Sequence, residues 1–288
     1  MTWPLSELTR PLPEHADARW FSSCASLRPL TWCLDGCMLQ IAVRPGGMAS
    51  ELHQSLGATP ARPRLRLLCL HGMGTNSNIL RRQLQPLLLA TQSDAVDFHF
   101  LDGHDHCPPA DATVAKVFAG EQCRRYMERV RVDGGDEFAY TGIDCAVQAV
   151  LQQLHDHGPY DGLLGFSQGA NLATMVAAQL LNGQQGPGEP SRPPCPRFCI
   201  LMCGTEFGWA TKQLGHLFRG QPLPLPSCHI IGDMDPFKVT TEALAQLWKD
   251  PQMHRHPSGH RPLPPGKDAE QLVSALRAFL MAHAVPLE

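Results

Sequence analysis

Residues 160–178 read YDGLLGFSQGANLATMVAA and place a G-x-S-x-G pattern, Gly165, Phe166, Ser167, Gln168 and Gly169, between a short apolar run and a stretch of small residues. A strand that turns sharply into a helix lifts a serine hydroxyl above the sheet edge. Glycines on either side leave room for the strained turn and for close contact between strand and helix. Leu163 and Leu164 supply the strand arm, and Ala170, Ala173, Ala177 and Ala178 the helix arm. Ser167 is therefore the candidate nucleophile.

The same alternation of strand and helix recurs on both sides of this stretch. Upstream, LRLLCL (65–70) runs into the glycine turn His71-Gly72-Met73-Gly74, and 78–90 carries apolar residues at helical spacing. VDFHFL (96–101) reads as a second strand, and 142–157 presents one apolar helical face through Ile143, Val147, Val150, Leu151 and Leu154. Downstream, strands are expected at 197–203, 227–231 and 253–256, and helices at 240–250 and 267–284. A mostly parallel sheet covered on both faces follows from that order. Residues 103–140 break the pattern and read as a loop-rich excursion with one helix, set to shape a pocket over the site.

A serine hydroxyl is a weak nucleophile at neutral pH, so Ser167 needs a base within hydrogen-bond reach, and that base needs an orienting carboxylate. Such partners come from loops at the carboxyl ends of later strands, in the order acid and then histidine. The strand at 227–231 runs into Gly232-Asp233-Met234-Asp235-Pro236, and the strand at 253–256 into Pro257-Ser258-Gly259-His260. His260 is the expected base. Asp235 is the expected carboxylate, with Asp233 as the alternative. The expected oxyanion donors are the backbone N–H groups of Gln168, after the nucleophile, and of Met73, in the first strand-to-helix turn.

The segments LCLHGMGTN, FHFLDG, GPYDGLLGFSQGANLA, HIIGDMDPF and HRHPSGH together resemble the FSH group ("family of serine hydrolases") of α/β-hydrolases, over about residues 64–284. The run PYDGLLGFSQGA is specific to that group, although GFSQG is shared with acyl-protein thioesterases. The resemblance implies an α/β-hydrolase fold and a triad at the positions of Ser167, Asp235 and His260. It also implies esterase or thioesterase activity on a small-molecule substrate, and family members include enzymes that release acyl chains from polyketide carriers. The chain departs from the pattern at the N-terminal segment and at Thr205-Glu206-Phe207-Gly208-Trp209.

With 288 residues, 43% hydrophobic and 18% charged, the chain has the composition of an ordinary globular protein. A net charge of −3 gives no basic footprint for nucleic acid, and no apolar run approaches the roughly 18 residues of a membrane span. No signal or transit peptide is expected, so a cytoplasmic protein with its 11 cysteines reduced is anticipated. Residues 1–62 read as an extension, with a hairpin or edge strand at 31–43, and 63–288 as the hydrolase domain. No cofactor or metal is expected. A metal site at His104, His106 and Cys107, at Cys33 and Cys37, or at Cys195, Cys199 and Cys203, is the weaker reading of those residues. Two further alternatives are a lysophospholipase or acyl-protein-thioesterase-like lipid hydrolase, and a non-catalytic ligand binder on the same fold.

Overall fold

The computed structural model describes residues 65–131, 138–183 and 193–284. The expected N-terminal extension, its hairpin, and Cys33 and Cys37 lie outside the described residues. In chain order, β1 (Leu65–Leu70) leads into α1 (Ser77–Gln83) and α2 (Gln85–Ala90), and β2 (Val96–Leu101) follows. The excursion holds β3 (Asp105–His106), α3 (Ala112–Val117), β4 (Arg124–Arg125), β5 (Glu128–Arg131) and β6 (Phe138–Thr141). After it come α4 (Ile143–His157), β7 (Gly162–Phe166), α5 (Gln168–Asn182) and β8 (Phe198–Met202). The chain continues through α6 (Trp209–Lys212), α7 (Gly215–Phe218), β9 (Ser227–Gly232), α8 (Lys238–Ala245), β10 (Gln252–His256) and α9 (Lys267–His283).

Six strands form one sheet in the order β10-β9-β8-β7-β1-β2, with every neighbouring pair parallel. The inner strands are mostly apolar because both of their faces are covered, β7 and β8 throughout, β1 except at Arg66 and β9 except at Ser227 and His229. Along β1, Leu68 and Leu70 join a core with α4, α5 and α7, whereas Leu67 and Cys69 join a second core with α1, α2 and α9. Fully burying each leucine of this kind contributes roughly 1.5–3 kcal/mol before entropy is counted. β7 lies near the middle of the order, so the Ser167 turn sits above the best-packed part of the sheet.

Several expected elements differ in detail. The helix anticipated at 78–90 is two helices meeting at Leu84, which has φ −91° and ψ 3°. Pro86 lacks an N–H and its ring crowds the carbonyl four residues back, which stops α1 from continuing but suits the first turn of α2. The helix anticipated at 240–250 spans Lys238–Ala245, because 246–249 are drawn sideways by paired backbone bonds between Leu223 and residues 247 and 249. β8 stops at Met202, and Cys203 takes φ 49°. The excursion carries α3, as expected, together with two short antiparallel ladders, β3 with β4 and β5 with β6.

Candidate active site

Ser167 stands between β7 and α5 with φ 52° and ψ −118°, a conformation that side chains rarely adopt, and its N–H donates to the Met202 carbonyl at 2.8 Å. The flanking glycines are sterically required. A Cβ on Gly165 would lie 2.4 Å from the Gly169 carbonyl oxygen, and one on Gly169 would lie 2.1 Å from that of Leu70. The turn therefore presses the start of α5 onto β7 and β1.

His260 reaches this serine from the loop after β10, its Nε2 lying 2.9 Å from Ser167 Oγ. Its Nδ1 lies 2.7 Å from Asp235 Oδ2, and Asp235 Oδ1 accepts the Phe237 N–H at 2.8 Å. The ring sits between Phe166 and Phe237, with centroids 5.2 and 5.3 Å away. The loop is held by His256, whose Nδ1 accepts the Ser258 N–H while Nε2 donates to the Arg261 carbonyl. Burial acts to raise the pKa of the Asp235 carboxyl. The hydrogen bond and charge of His260, with the Phe237 N–H, outweigh it, and the pKa is lowered. Asp233 points elsewhere, pairing with Lys238 at 3.1 Å and Arg255 at 3.3 Å on the surface.

The first turn is stitched by His71, whose Nδ1 donates to the Gly72 carbonyl at 2.8 Å while Nε2 accepts the Gly103 N–H at 2.9 Å. Burial lowers its pKa and favours this neutral, bridging tautomer. Met73 lines the cavity that opens above Ser167 and His260, and its N–H has no acceptor among the described residues. Gln168 begins α5, where an N–H has no intrahelical partner.

Two features of the site were missed by sequence reasoning. The Gln168 side chain is buried against the excursion, with Oε1 accepting the Tyr126 N–H at 2.8 Å and Nε2 donating to the Met127 carbonyl at 2.8 Å. Cys203 lies behind Asp235, with Sγ 3.4 Å from the Arg261 carbonyl, and no sequence signal set it apart from other core cysteines.

Cys203, Asp235 and His260 bring possible ligand atoms within 4.8 Å of one another. Two of the three already share a hydrogen bond, and burial together with the Asp235 charge pushes the Cys203 thiol up to about 12. A thiolate ligand would have to form against both effects, so the set fits a hydrogen-bonded chain better than a cation. Among the described residues, His104, His106 and Cys107 form no such cluster, nor do Cys195, Cys199 and Cys203.

A parallel sheet with a serine at a strand-to-helix elbow, faced by a histidine and an acid from the loops after later strands, defines an α/β-hydrolase. Residues 61–271 match the family model described as "Serine hydrolase (FSH1)", and the chain belongs to that family. It is similar to "Esterase FPY3" of Fusarium mangiferae, 30% identical over 192 residues that cover 64% of this chain and 80% of that protein. "Esterase OVCA2" of Bos taurus is 32% identical over 193 residues, covering 61% and 78%. "Esterase C25G4.2" of Caenorhabditis elegans is 26% identical over 229 residues, covering 76% and 96%. Among the described residues, no helix is long and apolar enough to cross a membrane.

Proposed function

We propose that the protein hydrolyses a carboxylic ester or thioester of a small molecule, with Ser167 as nucleophile, His260 as general base and acid, and Asp235 as the group that orients the imidazole. The observation that carries this reading is the continuous chain Ser167 Oγ to His260 Nε2 at 2.9 Å and His260 Nδ1 to Asp235 Oδ2 at 2.7 Å. The names of the related esterases agree with it.

Ser167 Oγ attacks the acyl carbon as its proton passes to His260 Nε2, and the Asp235 carboxylate stabilises the imidazolium. The carbonyl oxygen becomes an oxyanion held by the N–H groups of Met73 and Gln168, each such donor being worth on the order of 3 kcal/mol in the transition state. The tetrahedral intermediate then expels an alkoxide or thiolate, which takes the proton from His260. Water, deprotonated by His260, attacks the acyl-enzyme, and as the second intermediate collapses His260 returns that proton to Ser167 Oγ and the acid departs.

The cavity above Ser167 holds about 280 Å³, at the low end of small-molecule sites, which span about 300–1,000 Å³. Titration of the parent protein with a fluorophosphonate probe should label Ser167 stoichiometrically. A purified Ser167→Ala variant should lose both labelling and p-nitrophenyl acetate hydrolysis. Unchanged turnover by that variant removes the mechanism. Absence of labelling and turnover in the parent leaves a ligand-binding protein on this fold. A kcat/KM series over p-nitrophenyl esters from short to long acyl chains, with matching CoA thioesters, then ranks the substrates.

A further inference from the structure

We propose that Arg129 is the anchor for an anionic group, a carboxylate or phosphate, carried by the ester or thioester that Ser167 attacks. This rests on the serine hydrolase reading above and narrows its substrate class. Arg129 projects from β5 into the lining of the cavity that contains Ser167 and His260. Its guanidinium carbon lies 4.6 Å from the centroid of the Phe138 ring and 5.7 Å from that of Phe207. Cation–π contacts of this kind hold the guanidinium by aromatic faces and consume none of its N–H donors on a carboxylate.

Among the described residues no carboxylate lies within ion-pair distance of Arg129, whereas Arg125, four residues earlier, is paired with Glu128 at 2.9 Å. Two described acids near it are already committed to caps. Asp111, which also lines the cavity, accepts the Val114 N–H at the start of α3, and Glu206 accepts the N–H groups of Gly208 and Ala210.

The placement is fixed from three sides. Gln168, adjacent to the nucleophile, clamps Tyr126 and Met127 just before β5. Tyr140, opposite Arg129 in the β5–β6 ladder, is held by Asn171 of α5 and by Gln213. Phe207 belongs to a segment tied down by the Trp209 indole bond to the Thr205 carbonyl and by Asn171 Oδ1 on the Thr205 N–H. The departure from the family pattern at 205–209 thus supplies one wall of the guanidinium cradle. An arginine held over aromatic faces, with no carboxylate partner among the described residues and lining the same cavity as Ser167, is suited to bind an anion in a set register with the scissile bond.

The test compares kcat/KM for an anionic substrate with that for a neutral partner, at low ionic strength. In one arm p-nitrophenyl hemiadipate is compared with p-nitrophenyl heptanoate, which puts the charge on the acyl side. In the other, acetyl-CoA is compared with S-acetyl-N-acetylcysteamine, which puts it on the leaving group. The parent should favour the anionic member of at least one pair, and that arm identifies where the anion sits. Arg129→Gln should lower the anionic-to-neutral ratio in that arm about tenfold, the scale of one charge-assisted contact. Arg129→Lys should restore part of the ratio, and Arg129→Glu should reverse it. Because each ratio is taken within one preparation, a partly misfolded fraction cancels. Equal effects of Arg129→Gln on both members of both pairs overturn the assignment. Failure of the serine reading gives a different result, namely turnover that survives in Ser167→Ala.

Discussion

Gln168 and Met127 exchange two hydrogen bonds through the glutamine side chain: Nε2 donates to the Met127 carbonyl at 2.8 Å, and Oε1 accepts the Met127 N–H at 3.3 Å as well as the Tyr126 N–H at 2.8 Å. The amide acts as one more strand edge, joining the excursion to the residue after Ser167. Gln168→Ala leaves buried backbone groups unpaired, at about 1–3 kcal/mol each. A lower Tm and at least tenfold lower ester kcat/KM are expected. Gln168→Glu should be worse, because a carboxylate cannot donate to the Met127 carbonyl. Differential scanning calorimetry of the two variants checks this, and an alanine variant with the parental Tm would show the clamp to be idle.

Asp235 and Asp233 are two residues apart, yet one faces His260 and the other faces Lys238 and Arg255. Asp235→Asn keeps the shape but offers an amide to Nδ1, favouring the wrong imidazole tautomer. A loss of roughly 10³–10⁴ in kcat is expected, with the fold retained. Asp233→Asn removes only exposed ion pairs and should stay within about threefold of the parent. Steady-state kinetics on the two variants decides the assignment, and the reverse ranking would move the carboxylate role to Asp233.

How much of this was legible in sequence follows from where the information is local. The elbow and the parallel sheet were readable because β1, β7, β8 and β9 are buried on both faces, which forces apolar runs, and because Gly165 and Gly169 mark a turn. That Asp235 rather than Asp233 faces His260 was readable only as depth in a loop. The Gln168 clamp and the Phe138–Arg129–Phe207 stack were not readable, since each joins residues from segments that lack periodicity and meet only in the tertiary structure. The break at Leu84 had a local sign in Pro86 that the apolar spacing of 78–90 overrode.

The elbow glycines give a prediction on stability. In Gly169→Ala the added Cβ would sit 2.1 Å from the Leu70 carbonyl oxygen, and in Gly165→Ala 2.4 Å from that of Gly169. The obstacles are backbone atoms, so neither a rotamer change nor a small shift relieves them. Each variant should lose at least about 3 kcal/mol or accumulate as insoluble protein. Gly120 has nothing within 4 Å of an added Cβ, although its φ of 91° disfavours a side chain. Gly120→Ala should therefore cost only about 1–2 kcal/mol of backbone strain. Urea unfolding of the three variants ranks them, and equal losses would contradict the close packing of β7 on α5.

His229 gives the acid limb of stability. It is wholly buried in β9, with Nε2 3.1 Å from Ser227 Oγ, Nδ1 without a hydrogen-bond partner, and the Trp248 ring 6.0 Å away at a steep angle. Burial pushes its pKa from 6.5 down to about 3. The unfolded chain then takes up a proton near pH 6.5 that the native state refuses until about pH 3, so stability rises with pH across that window and falls on acidification. Above pH 6.5 both states hold a neutral ring and the contribution is constant. Integrated from pH 7 to pH 5, this one group removes about 2 kcal/mol. His71, His254 and His256 shift in the same direction and add to the parental slope, so the informative quantity is a difference between proteins. His229→Leu should flatten the dependence of urea-unfolding free energy on pH by about that amount between pH 7 and pH 5, whatever its effect at pH 7. Parallel pH profiles for variant and parent would mean that His229 titrates in the native state as it does in the unfolded chain.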